Sequence, residues 1–350
     1  MELTETLALL VSALMLLPMA AVASADRGMV IIDPPHVDFW ESGQRAIVAW
    51  NGTDETLLLS TDVRTSEPAK ILEVLAVPNN VTEVKEGSPA SFTELERLIV
   101  SKLPRPQYDL FEKNGAATAR APSVEIQFHQ QIGPHEVMVV KANDADYFKY
   151  WTRGFAFERG FTYSEISLGF VHAIQDYMDR GIHYFVFDVI STNDTVQSVS
   201  PLLYRFRSDS LYYPMQITSA SNISDAYSSL SLFLLTDKGI ADVSAIRSAG
   251  LRPGEGFGHA IKMSSAELKQ VEASLPSMLP DGAYAMEASY YGSFRSLTED
   301  LSLGEGAFSP TGTPPLPPYV PPSDARQPNY ALAIVAIAAL ALFLLMMKPK

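Results

Sequence analysis

An α+β fold built mainly of antiparallel sheet, with a few packed helices and one C-terminal transmembrane helix, is what this sequence predicts. Three observations carry the prediction. Strand-like segments outnumber helix-like ones through the interior of the chain. Asn51-Gly52-Thr53-Asp54 is a tight-turn signal between the first two strands, and Ala331 to Met347 contains no polar side chain.

In chain order, the expected strands begin with Arg45 to Trp50 and Glu55 to Val63, antiparallel neighbours across the Asn-Gly turn, followed by Ile71 to Val77. Ser91-Phe92-Thr93-Glu94 then reads as a capping box opening a helix whose Phe92, Leu95, Leu98 and Ile99 share one face. Periodicity is lost across residues 104–122, a candidate sub-domain boundary. Val124 to Gln130 and His135 to Lys141 flank Gly133-Pro134 as a hairpin. Asn143 or Asp144 caps a short helix, and Ser164 opens a longer one that Gly181 closes. Strands are expected at Tyr184 to Ile190, Leu202 to Arg207, Met215 to Thr218, Ser231 to Leu235, Gly258 to Met263 and Ala283 to Tyr291. Ser264 or Ser265 caps a last helix before Pro276.

The two ends predict where such a domain works. Leu7 to Leu17 is an apolar run followed by Ala23-Ser24-Ala25, small residues suited to signal-peptidase cleavage, so residues 1–25 read as a signal peptide. The n-region is atypical, with Glu2 and Glu5 and no Lys or Arg. Residues 26–303 are then an extracellular ectodomain and 304–329 a stalk, since Pro-rich sequence favours extended polyproline II. Residues 330–347 form the membrane helix and 348–350 a cytoplasmic tail, oriented by Lys348 and Lys350. The expectation is a single-pass cell-membrane protein whose N-terminus lies outside. Four sequons, at Asn51, Asn80, Asn193 and Asn222, are candidate glycosylation sites.

Composition excludes several chemistries. The 350 residues include no cysteine, which removes disulfides, thiol nucleophiles and thiolate metal sites, and in an oxidising location suggests a prokaryote of archaeal type. A net charge of -14 belongs entirely to the segment between the two apolar ends, because Glu2 and Glu5 offset Lys348 and Lys350. Such a surface repels nucleic acid, so none is expected as a partner.

Candidate chemistry is sparse. His172 and Asp176 lie four apart on a helix, the best local pair for a metal, and His129 and His135 flank the Gly133-Pro134 turn. Neither arrangement completes a known metal signature. Asp144 and Asp146 lack the glycine and terminal glutamate of a calcium loop. Gly254, Gly256 and Gly258 lack the Lys-Ser/Thr of a phosphate loop. Strand alternation puts Arg205 and Arg207 on one face, where they would grip a carboxylate or sulfated sugar or else pair with local acids. Tyr147, Phe148, Tyr150, Trp151, Phe155, Phe157, Phe161 and Tyr163 would form either a sugar-stacking surface or helix-to-sheet packing, the latter being the stronger expectation. No cofactor is implied.

The run GQRAIVAWNGTDETLLLSTDVRTSEPAKILEVLAVP, with YRFRSDSLYYPMQITS and SLFLLT further on, resembles a family of uncharacterised secreted or membrane-anchored prokaryotic proteins, a domain-of-unknown-function family. The resemblance implies location and approximate architecture, and brings no catalytic residues. The functional expectation is a stalked surface protein with a binding or envelope-structural role. Its partners are the lipid bilayer through the C-terminal helix and an envelope protein or glycan. An anchored extracellular hydrolase and an accessory subunit of a membrane complex are the alternatives.

Overall fold

In the computed structural model the described residues are 28–310, apart from 35, 103–127, 163–164, 196, 221–226 and 255–260. The strands are β1 (Gly28–Asp33), β2 (Phe39–Trp50), β3 (Asp54–Thr65), β4 (Ala69–Val77), β5 (Val81–Glu86), β6 (Phe128–Ile132), β7 (His135–Lys141), β8 (Tyr184–Thr192) and β9 (Gln197–Ser198). They continue as β10 (Leu202–Arg207), β11 (Leu211–Tyr213), β12 (Tyr227–Thr236), β13 (Gly239–Ile240), β14 (Arg252–Pro253), β15 (Ile261–Met263), β16 (Ala283–Ser293), β17 (Leu301–Leu303) and β18 (Phe308–Ser309). The helices are α1 (Ala90–Lys102), α2 (Ala145–Glu158), α3 (Leu168–Asp179), α4 (Gln216–Ser219), α5 (Ser244–Ser248), α6 (Ser265–Val271) and α7 (Leu275–Met278).

Two sheets stack face to face. One is five-stranded and antiparallel, in the order β1-β4-β8-β7-β6; the other runs β14-β16-β12-β2-β3-β10-β5, with β15 on β16 and β9 on β3. The pairing is mixed, because β12 lies parallel to β2, with Leu232 opposite Ala46. Strands buried on both faces read as continuous apolar runs, as in Leu57, Leu58 and Leu59 of β3.

Three apolar clusters define four layers. Ile71, Val137, Val186, Val48, Leu59 and Tyr204 fill the space between the sheets. The outer face of the five-stranded sheet carries α2 and α3 through Phe148, Phe155, Phe170, Ile174, Phe185 and Phe187. The outer face of the larger sheet carries α1, α6 and α7 through Phe92, Leu95, Phe233, Leu268 and Leu275. The order is helix, sheet, sheet, helix, so the coarse α+β reading with mostly antiparallel pairing holds. Among the described residues no helix is long and apolar enough to cross a membrane. Residues 330–347, the expected signal peptide, the boundary at 104–122 and Asn222 lie outside the described residues.

Several local expectations are corrected. The α1 helix begins before Ser91, with the Ala90 N–H donating to the Ser88 hydroxyl at 3.2 Å. Glu94 pairs with Arg97 instead of closing a capping box on Ser91. The α3 helix starts at Leu168 and its cap is Ser167, whose hydroxyl accepts from the Phe170 N–H at 3.1 Å. Gly181 does end it, at φ +85°, a left-handed conformation that glycine adopts without strain. The segment expected as a strand at Met215 to Thr218 is instead the α4 turn. Ser264 and Glu267 do form a capping box, at the start of α6. Folded structure continues past 303: β18 pairs with β13, and Phe308 packs on Trp50 with ring centroids 5.1 Å apart.

Asp300 fastens this C-terminal portion to the rest. Its Oδ1 accepts from the Tyr177 hydroxyl at 2.8 Å and from the N–H groups of Met215 at 2.8 Å and Gln216 at 2.9 Å. Its Oδ2 accepts from the Tyr212 hydroxyl and from Arg180 Nη1, both at 3.0 Å. Burial, reinforced by Asp300, pushes the Tyr177 phenol well above the usual tyrosine range. Burial does the same for Tyr212, where the largest of the neighbouring contributions comes from Tyr177.

Candidate functional site

The α2 helix presents two aromatic faces. Asp144 starts it, accepting the Tyr147 N–H at 2.7 Å, so the two aspartates at 144 and 146 serve the helix N-terminus. With 3.6 residues per turn, Phe148, Thr152 and Phe155 fall on one side, and Tyr147, Tyr150, Gly154 and Phe157 on the other. The inner side packs on β8. Phe148 meets Phe185 and Phe187 at 5.3 and 5.2 Å, and Trp151 lies edge-on to Phe187 at 4.9 Å while stacking on Phe155 at 5.4 Å. Burying each such ring contributes on the order of 1.5–3 kcal/mol, which fixes the helix on the sheet.

The outer side faces solvent. Tyr147 is 67% exposed, Tyr150 69% and Phe157 82%, values unusual for large apolar rings. Beside them lies a cleft of about 570 Å³ lined by Tyr150, Arg153, Gly154, Phe157, Phe161 and Glu165. Gly154 forms part of its floor, and a Cβ placed there would meet nothing within 4 Å. A smaller hollow of about 300 Å³ adjoins it at Gly154, between Trp151 and Arg159.

Charges of both signs rim this surface. Lys149 Nζ lies 3.0 Å from Glu165 Oε1, and that hydrogen bond holds the Glu165 carboxyl below the usual carboxylate range. The Arg159 guanidinium sits 3.7 Å from the Phe155 ring centroid and donates to Glu136 Oε1 through Nε at 3.0 Å and Nη2 at 2.6 Å. The expected aromatic cluster thus divides: Phe148, Trp151 and Phe155 pack inward, Tyr147, Tyr150 and Phe157 face outward, and Tyr163 lies outside the described residues.

The other sequence candidates are dispersed. His172 is exposed on α3, and Asp176 bonds Arg180 at 3.0 Å. Among the described residues no group of three metal-ligating side chains converges. His129 lies opposite Met138 in the β6–β7 hairpin and His135 opposite Ile132, so the hairpin does not pair the two histidines. Instead His135 is buried between the sheets, with Nδ1 at 2.7 Å from Asp188 Oδ2 and Nε2 at 2.8 Å from the Ser200 carbonyl. A His-Asp pair supplies two of the three members of a hydrolase triad, but here the outer nitrogen faces a main-chain carbonyl where a serine hydroxyl would be required.

Arg205 and Arg207 do share a strand face, as alternation requires. Arg205 reaches Glu83 at 3.6 Å, pairing with a local acid, and Arg207 is exposed. The sequons at Asn51 and Asn193 form Asx turns, each side-chain carbonyl accepting from the N–H and hydroxyl of the threonine two residues on. The Asn51 amide also donates to the Met278 carbonyl at 3.3 Å. Asn80 is half-buried, with a carbonyl oxygen that makes no hydrogen bond among the described residues. Gly254 donates its N–H to Glu287, while Gly256 and Gly258 lie outside the described residues.

Sequence reasoning missed Glu55, the first inward residue of β3. Its Oε2 accepts the Tyr212 N–H at 2.7 Å, its Oε1 has no hydrogen-bond partner among the described residues, and burial pushes the carboxyl well above its usual range. Nothing local marks it, because a glutamate after a hairpin turn ordinarily faces solvent.

Comparison with known proteins gives a family and little beyond it. The chain is similar to the crystal structure of baculovirus P35, with TM-score 0.41, 10% identity, and coverage of 79% of this chain and 99% of that one. It is also similar to P35 in the crystal structure of the caspase-8/P35 complex, with TM-score 0.37, 9% identity, and coverage of 75% and 95%. Scores this low carry no argument about function. Among curated proteins none matches. Residues 21–277 match a family described as an uncharacterized protein conserved in bacteria (DUF2330), which supports the domain-of-unknown-function reading and replaces the archaeal expectation with a bacterial one. The chain belongs to this bacterial family.

Proposed function

We propose that this is a membrane-anchored, single-pass surface protein whose acidic ectodomain binds a component of the cell envelope, with glycosylation at its sequons. The observation that carries the binding role is the outward row of Tyr147, Tyr150 and Phe157 beside an open cleft. Exposing three large rings forgoes about 1.5–3 kcal/mol of burial at each, a cost that is recovered when a partner covers them. The anchor reading rests on the apolar run at Ala331 to Met347 and the lysines that follow it.

Fractionation tests the anchor: the full chain should sediment with membranes, and deletion of Ala331 to Lys350 should release it. The released protein tests the binding role. It should be retained by isolated envelopes of its own cell, and the double variant Tyr150→Ala/Phe157→Ala should not be. Equal retention of the two proteins sinks the binding role assigned to this face.

A further inference from the structure

We infer that the outer face of α2 binds an extended, β-linked polysaccharide, the pyranose rings lying flat along the helix; this rests on the binding reading above and names its ligand. The first ground is register. Tyr147, Tyr150, Gly154 and Phe157 recur about once per helical turn, and a turn rises about 5.4 Å, close to the length of one pyranose ring in an extended glycan. Rings at 150 and 157 are two turns apart, the spacing of alternate sugars on a flat ribbon, and Gly154 leaves room between them for the intervening one. The carbon-bound hydrogens on the flat side of a pyranose pack against an aromatic face, and Tyr150 and Phe157 are exposed enough to offer theirs.

The second ground is the rim. Arg153 and Glu165 line the same cleft, a donor set and an acceptor set within one wall, which suits the hydroxyls of a neutral sugar. Glu165 is paired with Lys149 and lies beside Arg153, so the cleft carries charges of both signs, which on a chain of net charge -14 suits a neutral ligand better than a polyanion. The third ground is rigidity. Trp151 and Phe155 beneath the face are stacked on each other and held against Phe187, so the helix that presents Tyr150 and Phe157 is fixed before a ligand arrives and only side-chain ordering attends binding.

The test is calorimetric titration of the full chain in detergent micelles with cellohexaose and chitohexaose, both extended and β-linked, and with maltohexaose, whose α-linkages curve the chain. At least one β-linked hexaose should bind and maltohexaose should not. Tyr150→Ala and Phe157→Ala should each weaken binding by about 3- to 10-fold, the worth of one aromatic contact. Gly154→Leu, which fills the open space beside the cleft where no atom lies within 4 Å of a Cβ, should abolish binding without lowering thermal stability, since leucine is the better helix former. Failure of both β-linked hexaoses at millimolar concentration, equal binding of maltohexaose, or affinity unaltered in all three variants overturns the inference. Envelope retention that is lost in the double variant and on protease treatment of the envelopes would leave the binding role standing and overturn the glycan.

Discussion

Replacing Asp300 by alanine removes an acceptor that no neighbour can supply. Five donors converge on its carboxylate: two tyrosine hydroxyls, two main-chain N–H groups and Arg180. The main-chain groups of Met215 and Gln216 cannot turn away, and each buried donor left unpaired costs about 1–3 kcal/mol. The tyrosine hydroxyls can rotate, and the Arg180 side chain is 40% exposed, so its ion pair with Asp300 counts for less than a fully buried one. The expected loss is therefore about 3–5 kcal/mol. Asp300→Asn keeps one carbonyl oxygen but turns an amide N–H₂ toward Arg180, so about half that loss is expected. Asp176→Asn, which breaks only an exposed pair with the same arginine, should change stability by less than about 0.5 kcal/mol. Equilibrium urea denaturation followed by circular dichroism reads all three. A loss below about 1 kcal/mol for Asp300→Ala would show that the convergence of donors does not hold the C-terminal portion in place.

Four further outcomes follow from the geometry. Phe155→Ala should cost about 3–5 kcal/mol and Phe157→Ala, two positions on, less than about 0.5, by thermal or urea unfolding; similar losses would contradict the two-faced helix. Because burial raises the Glu55 carboxyl, the folded state holds its proton at higher pH than the unfolded state, so stability should fall as pH rises above the ordinary glutamate value of 4.5. Glu55→Gln should flatten that slope, and an unchanged pH profile refutes the assignment. Glu267, lowered to about 2 by Lys102 and the Ser264 cap, contributes in the opposite sense: its stabilisation is present above pH 4.5 and lost as pH falls toward 2. The Glu267 side chain is 24% exposed and its partners Lys102 and Ser264 lie at the surface, so Glu267→Gln should remove less than about 1 kcal/mol at neutral pH, measured by the same titration of stability. Gly282→Ala should destabilise by more than about 1 kcal/mol, since φ is +90° and a Cβ would run into the Met263 carbonyl; a neutral result in thermal unfolding would mean that the turn relaxes freely.

Local sequence revealed what local forces decide. Asn51-Gly52 fixed the β2–β3 hairpin because Gly52 takes φ +98° at no steric cost, and Ser264 with Glu267 closed its own capping box. What escaped was settled at long range. Met215 to Thr218 has strand composition, yet its first N–H groups are captured by Asp300, far downstream, and the segment turns into a helix. The strand β5 (Val81–Glu86) is half charged and was invisible as a strand, because only Val81 and Val84 face the core and the rest is a sheet edge. At the candidate site the aromatic residues were legible as a cluster, and the helical period assigns each ring to a face. Which face the sheet would cover depended on Phe185 and Phe187, and no local pattern in α2 encodes that partner.

The parallel contact between β2 and β12 also dictates an order of events during synthesis. Gln44 pairs with Leu230, and the ladder continues to Trp50 and Thr236, so the central strand of the larger sheet waits for a neighbour made almost two hundred residues later. Until then β2 has a hairpin partner on one side and an open, apolar edge on the other. Loop closure over such a separation is slow and leaves that edge available to other chains. A polypeptide of this topology is kept from completing its core until nearly all of it has emerged.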